Sequence, residues 1–405
     1  MKKILSTMLV GALIAGIAFA EVSFEYKGTA ILGNATKFIG DETTAKDDTT
    51  TKAAGKGAIE RKDAFTLAAK NEVAGVEIEF DVEGDGNNAG YSKFNLDHFY
   101  GYLTFGLPVG NLQITSGKWD ARWVSRVKSD GGELDGKFYE AYKPGVMNGA
   151  IAGDIDNLTG AGNMSTVLAY TLNDVLPGSL MFKFGLVGLQ NKPFDNTTLY
   201  NEGSSDATDI RSGFVGQIAL RLDDLLKFNV DFKTLKQNAY AFGIFLSPLM
   251  VEKLEATVGF SMGLYRPGDK IAEAKRTDRT EWGVDLRLRY AITDRVAVTT
   301  MHNISGYKLS PTNGSSEDDK AMWNMISASV LAGDNIRFLA TVQNKNTSWN
   351  ASNPDANTFS ITPACEIKIN EKSKFTAAFD IRWDGVTPYG GTGTVTLPMY
   401  FNFAL

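Results

Sequence analysis

The sequence predicts an all-β fold: a transmembrane antiparallel β-barrel of about 18 strands, with 16 as the alternative, short periplasmic turns and long extracellular loops. Three observations carry this prediction. Residues 76–84, VEIEFDVEG, place Val76, Ile78, Phe80 and Val82 on one face and Glu77, Glu79, Asp81 and Glu83 on the other, a period of two that no helix shows. The same alternation recurs along the chain. The segments that carry it are joined by connections that are short and long in turn, as in barrels whose turns are tight on one side of a membrane and whose loops are long on the other.

The chain opens on MKKILSTMLVGALIAGIAFA. Lys2 and Lys3, an apolar stretch, and Ala18-Phe19-Ala20 before Glu21 make residues 1–20 a signal peptide cleaved after Ala20. Its apolar run is shorter than the ~20 residues a spanning helix needs, and Glu21 at the cut argues against a lipoprotein. Past Ala20 every apolar run is broken within a few residues by a charged residue or Asn, so a membrane would be crossed by strands. Residues 21–405 read as one domain. Losing Lys2 and Lys3 takes the formal net charge from -6 to -8, an acidity that argues against a nucleic-acid partner. Cys365 is the single cysteine, so no internal disulfide forms and its role is packing on a strand. An apolar content of 43% suits a barrel, which needs only alternate strand residues to be apolar.

Taken in order, short turns are expected near Asn71–Ala74, Pro108–Asn111, Leu176–Ser179, Asp223–Leu225, Ser247–Lys253, Thr293–Arg295, Gly333–Asn335 and Asn370–Ser373. Long loops are expected near Gly40–Lys62, Gly84–Lys93, Val124–Asn163, Gln190–Thr208, Pro267–Arg279, Ser310–Lys320, Asn346–Ala356 and Asp384–Gly391, with a tighter connection at Leu235–Asn238. Between them, LKFNVDFK sets Phe228, Val230 and Phe232 against Lys227, Asp231 and Lys233. WGVDLRLRY sets Trp282, Val284, Leu286, Leu288 and Tyr290 against Asp285, Arg287 and Arg289, and FTAAFDIRW sets Phe379, Ile381 and Trp383 against Asp380 and Arg382. The chain closes on MYFNFAL, whose Met399, Phe401, Phe403 and Leu405 share one face.

A soluble sandwich also alternates, so strand number and face chemistry must decide. About 18 strands exceed the ~10 that an open twisted sheet usually sustains, which favours closure, and closure at this size leaves a water-filled lumen. A register slip of one residue would place Arg287 and Arg289 in lipid at ~2 to 4 kcal/mol each near the midplane, so their charge is expected to point inward. Tyr26, Phe38, Phe99, Trp282, Tyr290, Trp383 and Tyr400 are candidates for interfacial aromatic girdles.

The stretch HFYGYLTFGLPVGNLQITSGKWDARW, His98 to Trp123, resembles bacterial general porins. In that family a strand, a tight turn and a second strand read aromatic-x-Gly-x-aromatic, then Phe-Gly, then a polar strand ending in a Gly-basic pair. Phe99, Gly101, Phe105, Gly106, Asn111, Leu112, Gly117 and Lys118 hold those places. MYFNFAL resembles the terminal strand by which the outer-membrane assembly machinery recognises barrels, with Leu405 where most families end in Phe. The resemblance implies a bacterial outer-membrane location, contact with lipid and with that machinery, and a longest loop that folds into the lumen. The loop at 124–163 carries Arg126, Lys128, Asp130, Glu133, Asp135 and Lys137 as constriction candidates.

Enzymatic chemistry finds no support. His98 and His302 are the two histidines, and neither lies in a motif that pairs it with a serine. The run from Asp81 to Ser92 half matches a calcium loop, but Ser92 stands where a bidentate Glu is required, so neither metal nor cofactor is expected. The expected function is a porin: passive diffusion of small hydrophilic solutes and ions past pore-lining Glu77, Glu79, Asp81, Glu83, Lys227, Asp231, Lys233, Asp285, Arg287, Arg289, Asp380 and Arg382. A surface adhesin with a plugged lumen and a substrate-specific channel are the alternatives. Whether the chain is a monomer or a homotrimer stays open.

Overall fold

A computed structural model describes residues 21–39, 61–84, 92–119, 122–124, 127, 129–130, 155, 165–173, 177–187, 213–235, 239–266, 277–312, 314–346, 357–384 and 392–404. The expected signal peptide, the calcium-like tip at 85–91 and most of the expected long loops lie outside them. In chain order the strands are β1 (Glu21–Ile39), β2 (Arg61–Lys70), β3 (Ala74–Gly84), β4 (Ser92–Gly106), β5 (Asn111–Lys118), β6 (Ser165–Asn173), β7 (Gly178–Val187), β8 (Gly213–Leu222), β9 (Leu226–Leu235) and β10 (Ala239–Pro248). There follow β11 (Leu254–Tyr265), β12 (Thr277–Thr293), β13 (Val296–Pro311), β14 (Glu317–Leu331), β15 (Ile336–Asn346), β16 (Asn357–Asn370), β17 (Ser373–Ala378), β18 (Asp380–Asp384) and β19 (Thr392–Ala404).

Apart from β17 and β18, which do not pair with each other, every strand pairs antiparallel with its neighbours in sequence, and β1 pairs with both β2 and β19. The ring is therefore closed. Both β17 and β18 lie between β16 and β19, one strand interrupted at Phe379. Counted together they leave 18 staves among the described residues. Closure satisfies the backbone groups that an open edge would leave bare in lipid. At the seam Lys27 faces Ala404 and Thr29 faces Asn402, and outside it Tyr26 packs against Phe65 at 4.7 Å and Phe403 at 5.5 Å between ring centroids.

Seven of the eight expected short turns occur where expected, at one end of the ring, and both chain ends of the barrel lie there too; the eighth, at Leu176–Ser179, lies partly outside the described residues. Local chemistry explains them. Asn71 Oδ1 accepts from Val73 N at 2.9 Å and Ala74 N at 2.8 Å, an Asx turn in which the side chain stands in for a backbone partner. Gly110 adopts φ 88°, and a β-carbon there would stand 2.0 Å from the Thr171 carbonyl oxygen, so only glycine fits.

Burial decides what the barrel sits in. Along β12, Arg279, Glu281, Asp285 and Arg287 on the inner face are buried, while Val284 and Tyr290 on the outer face are exposed. Glu281, Asp285, Asn229 and Asp231 are 0% exposed, whereas Phe184, Leu186, Phe214, Phe260, Ile326 and Phe338 stand in the open outside. A protein in water shows the opposite pattern. The inversion matches a wall with an apolar outside and a polar inside. Of the expected girdle residues, Tyr26, Phe99, Trp282, Tyr290 and Trp383 share the outer register. Phe38 and Tyr400 do not: Tyr400 is on the alternate parity of β19, and the bulge between Ile31 and Gly33 reverses the parity of β1 before Phe38, because one extra residue exchanges the two faces.

Candidate pore

Cross-strand pairing traces one continuous inner face around the ring. Met301 pairs with Arg287 and Met325, Met325 with Gln343, and Gln343 with Ser360. On the other side Asp285 stands beside Gly259, Gly259 beside Phe245, and Phe245 beside Asn229. Glu77, Glu79, Asp81, Lys227, Asp231, Lys233, Asp285, Arg287, Arg289, Asp380 and Arg382 all occupy this face. Glu83 pairs with Lys62 in the same register, and its side chain lies outside the described residues.

The acidic and basic rows are far apart. In a ring of 18 staves, β3 and β12 are nine strands apart by either route, so Glu77, Glu79 and Asp81 stand diametrically across from Arg279, Arg287 and Arg289. Each row carries local partners. Glu77 pairs with Lys70, which also reaches Tyr100 Oη at 3.3 Å, while Glu79 accepts from Thr66 Oγ1 at 2.8 Å and lies 3.4 Å from His98 Nδ1. Across the ring, Arg279 pairs with Glu281 and stacks 5.0 Å from the Tyr307 ring, and Arg287 Nε lies 3.4 Å from Asp285. On β9, Asp231 accepts from Gln217 Nε2 at 2.6 Å and from Asn229.

The chain that follows β5 runs against this inner face. Trp119 packs on Val167 and Val215 and lies 5.8 Å from the Tyr100 ring. Lys183 Nζ sits 5.6 Å from the Trp123 ring. Val124 and Ile155 are buried among Ala239, Ala241, Phe245 and Tyr265 of β10 and β11. Gly243 leaves the space that Ile155 fills, since a β-carbon there would stand 2.7 Å from Ile155 Cγ2. Asp130 then reaches the wall near the tight-turn end. Its carboxylate accepts from Arg289 Nη2 at 3.3 Å and from the Ser329 hydroxyl, while Arg289 Nη1 donates to Glu255 at 2.9 Å. Of the six constriction candidates, Asp130 is described; Arg126, Lys128, Glu133, Asp135 and Lys137 lie outside the described residues.

No protein-family model and no curated protein matches the chain. Solved bacterial structures resemble it at low identity. The anion-selective porin from Comamonas acidovorans is 12% identical, with 95% of this chain and 100% of that one covered and a TM-score of 0.48. OccK3 from Pseudomonas aeruginosa is 10% identical over 98% of each chain at 0.49, and OmpT of Vibrio cholerae 8% identical over 94% and 97% at 0.44. The barrel itself rests on the pairing register, not on these likenesses.

Several inner-face residues escape a reading of the sequence. Arg279 and Glu281 continue the alternation of Asp285 and Arg287 back across Gly283, so extending the period by two steps finds them. Lys183 is the one charge among Leu180, Phe182, Phe184 and Leu186, and its odd parity carries the same signal. Trp123 and Ile155 lie in no strand, and nothing periodic marks them.

Proposed function

We propose that the chain is an outer-membrane porin, a channel through which small hydrophilic solutes and ions diffuse down their gradients. The observation that carries this reading is the inverted burial of a closed 18-stave ring. An outside of Phe, Leu, Val and Ile suits hydrocarbon, and an inside of carboxylates, guanidiniums, amides and hydroxyls suits water. A barrel of this size is wide enough for a channel. The segment through Trp119, Trp123, Val124 and Asp130, with Ile155, narrows it from one side. The acidic β3 and the basic β12 then impose a transverse field on passing solutes, and the charges bias which ions enter. Export by residues 1–20 and delivery to the membrane through Met399, Phe401, Phe403 and Leu405 belong to the same reading.

Purified protein added to a planar bilayer in KCl is expected to produce stepwise, ohmic conductance increments. Repeated insertion of folded protein without conductance overturns the reading and favours a plugged barrel.

A further inference from the structure

One stretch of the outer wall carries polar side chains inside the apolar band. Leu286 of β12 pairs with His302, His302 with Asn324, and Asn324 with Asn344, so one row crosses β12 to β15. Arg287, Met301, Met325 and Gln343 next to them face inward, and alternation turns this row outward. Leu286 is four residues from Trp282 and four from Tyr290, the girdle residues of its strand. Asn324 stands between Met322 and the exposed Ile326. His302, Asn324 and Asn344 are half-buried.

Their hydrogen bonds stop short of satisfying the two amides. His302 Nδ1 donates to Asn324 Oδ1 at 2.8 Å, since an amide oxygen only accepts, and the neutral ring's Nε2 then accepts from the Thr300 hydroxyl at 2.5 Å. Asn324 Oδ1 is thereby engaged, while its Nδ2 has no partner among the described residues. Asn344 is the reverse: Nδ2 donates to the Thr358 carbonyl oxygen at 3.4 Å, and Oδ1 has no partner among the described residues. An open donor and an open acceptor thus stand side by side on β14 and β15, where hydrocarbon satisfies neither. The outward hydroxyls of Ser116 and Thr166, by contrast, close on each other at 2.9 Å.

The wall is matched in kind across the line between β14 and β15. Asn324 pairs with Asn344, Ile326 with Val342 and Ala328 with Ala340, so amide stands opposite amide, branched side chain opposite branched, and methyl opposite methyl. We propose that this wall is the contact surface for a second copy of this chain, related by a two-fold axis along the membrane normal between β14 and β15, with Asn324 Nδ2 of each copy donating to Asn344 Oδ1 of the other. Such an axis keeps both barrels inserted in the same direction and sets each β14 residue of one copy against its cross-strand counterpart in the other, so like meets like and each open donor meets an open acceptor. Ala328 and Ala340, both exposed, let the two walls come close. The contact rests on the outer wall facing lipid, whether or not the lumen conducts.

Oxidative cross-linking of the full chain folded into vesicles tests the contact, with Cys365→Ser as the background so that the native thiol takes no part. Ala328→Cys chains mixed with Ala340→Cys chains are expected to form disulfide-linked dimers faster than either variant alone, because the axis sets position 328 of one copy against position 340 of the other. Phe184→Cys, on the outer wall at β7, is expected to link no faster than random collision allows. Adding Asn324→Leu or Asn344→Leu to the mixed pair is expected to slow linkage roughly tenfold at high dilution in lipid, while the folded band on gel electrophoresis is kept, since leucine suits hydrocarbon. No linked dimer, or linkage of the mixed pair no faster than that of Phe184→Cys, overturns the proposal, as does linkage that neither leucine variant slows. Should a leucine variant fail to fold, the comparison of the mixed pair with the single variants still decides. Cross-linking reads association without ion flow, so failure of the contact and failure of the channel are distinguishable.

Discussion

Gly259 lies across from Phe245 on the inner face and Gly243 two residues before it, with the Phe245 ring close to both: a β-carbon at Gly259 would stand 2.6 Å from the Phe245 ring, and one at Gly243 would meet Phe245 at 2.9 Å as well as Ile155. Small residues here make the seat on which Val124 and Ile155 are buried. Gly243→Val is expected to unseat Ile155 at ~1 to 3 kcal/mol, the usual range for overpacking. The barrel, held by its ladder, should persist. Limited trypsinolysis of the folded protein is expected to cut faster near Lys128, and single-channel conductance to rise; unchanged proteolysis and conductance would count against the seat. At this scale the sequence reading named Asp130 and Arg289 separately from their charge and position. That they meet was not legible, since 159 residues separate them and no local pattern encodes the approach.

A strand in this protein is specified by two faces at once. Val284, Leu286 and Leu288 face out and Asp285, Arg287 and Arg289 face in, so an error of one residue exchanges lipid for water along the whole stave. Leu286→Arg, which puts one guanidinium on the outer face, is expected to cost ~2 to 4 kcal/mol if it lies near the midplane, measured by denaturant unfolding of the protein folded into vesicles. The terminal strand carries a larger share. Phe401 pairs with Ala30 on one side and Phe375 on the other, and Phe403 with Gly28 and Ser373. Removing Met399–Leu405 would strip pairing from both β1 and β17 and leave two edges that hydrocarbon cannot satisfy. The truncated chain is expected not to assemble, seen as loss of the heat-modifiable folded band on gel electrophoresis, and a truncation that still inserts and conducts would contradict this. The tight turns among the described residues were legible because Asn, Asp, Gly and Pro mark them chemically. The interruption at Phe379 and the bulges at Ile31–Gly33 and Glu79–Phe80 were not, because a bulge is a property of two strands in register and not of one.

At the scale of the whole ring, the placement of β3 opposite β12 follows from count and closure alone. In the proposed channel the two rows would act on a solute from opposite sides, with Lys70 offsetting part of the acidic row and Glu281 and Asp285 part of the basic one. Neutralising Glu77 and Glu79 to Gln is expected to shift the zero-current potential in a KCl gradient toward anion preference, and neutralising Arg287 and Arg289 toward cation preference. Shifts of the same sign would show that the rows do not act as opposed walls.

The sequence by itself determined the all-β class, the tight turns, the near count of strands and the parity of most inward charges, because a strand's two-residue period is fixed by backbone geometry and appears wherever its two sides meet different solvents. Only the tertiary structure decided which charges confront one another and where Asp130 reaches the wall. Those juxtapositions depend on the closed register of 18 staves and on a segment that packs against the inner face, and neither leaves a periodic trace in the chain.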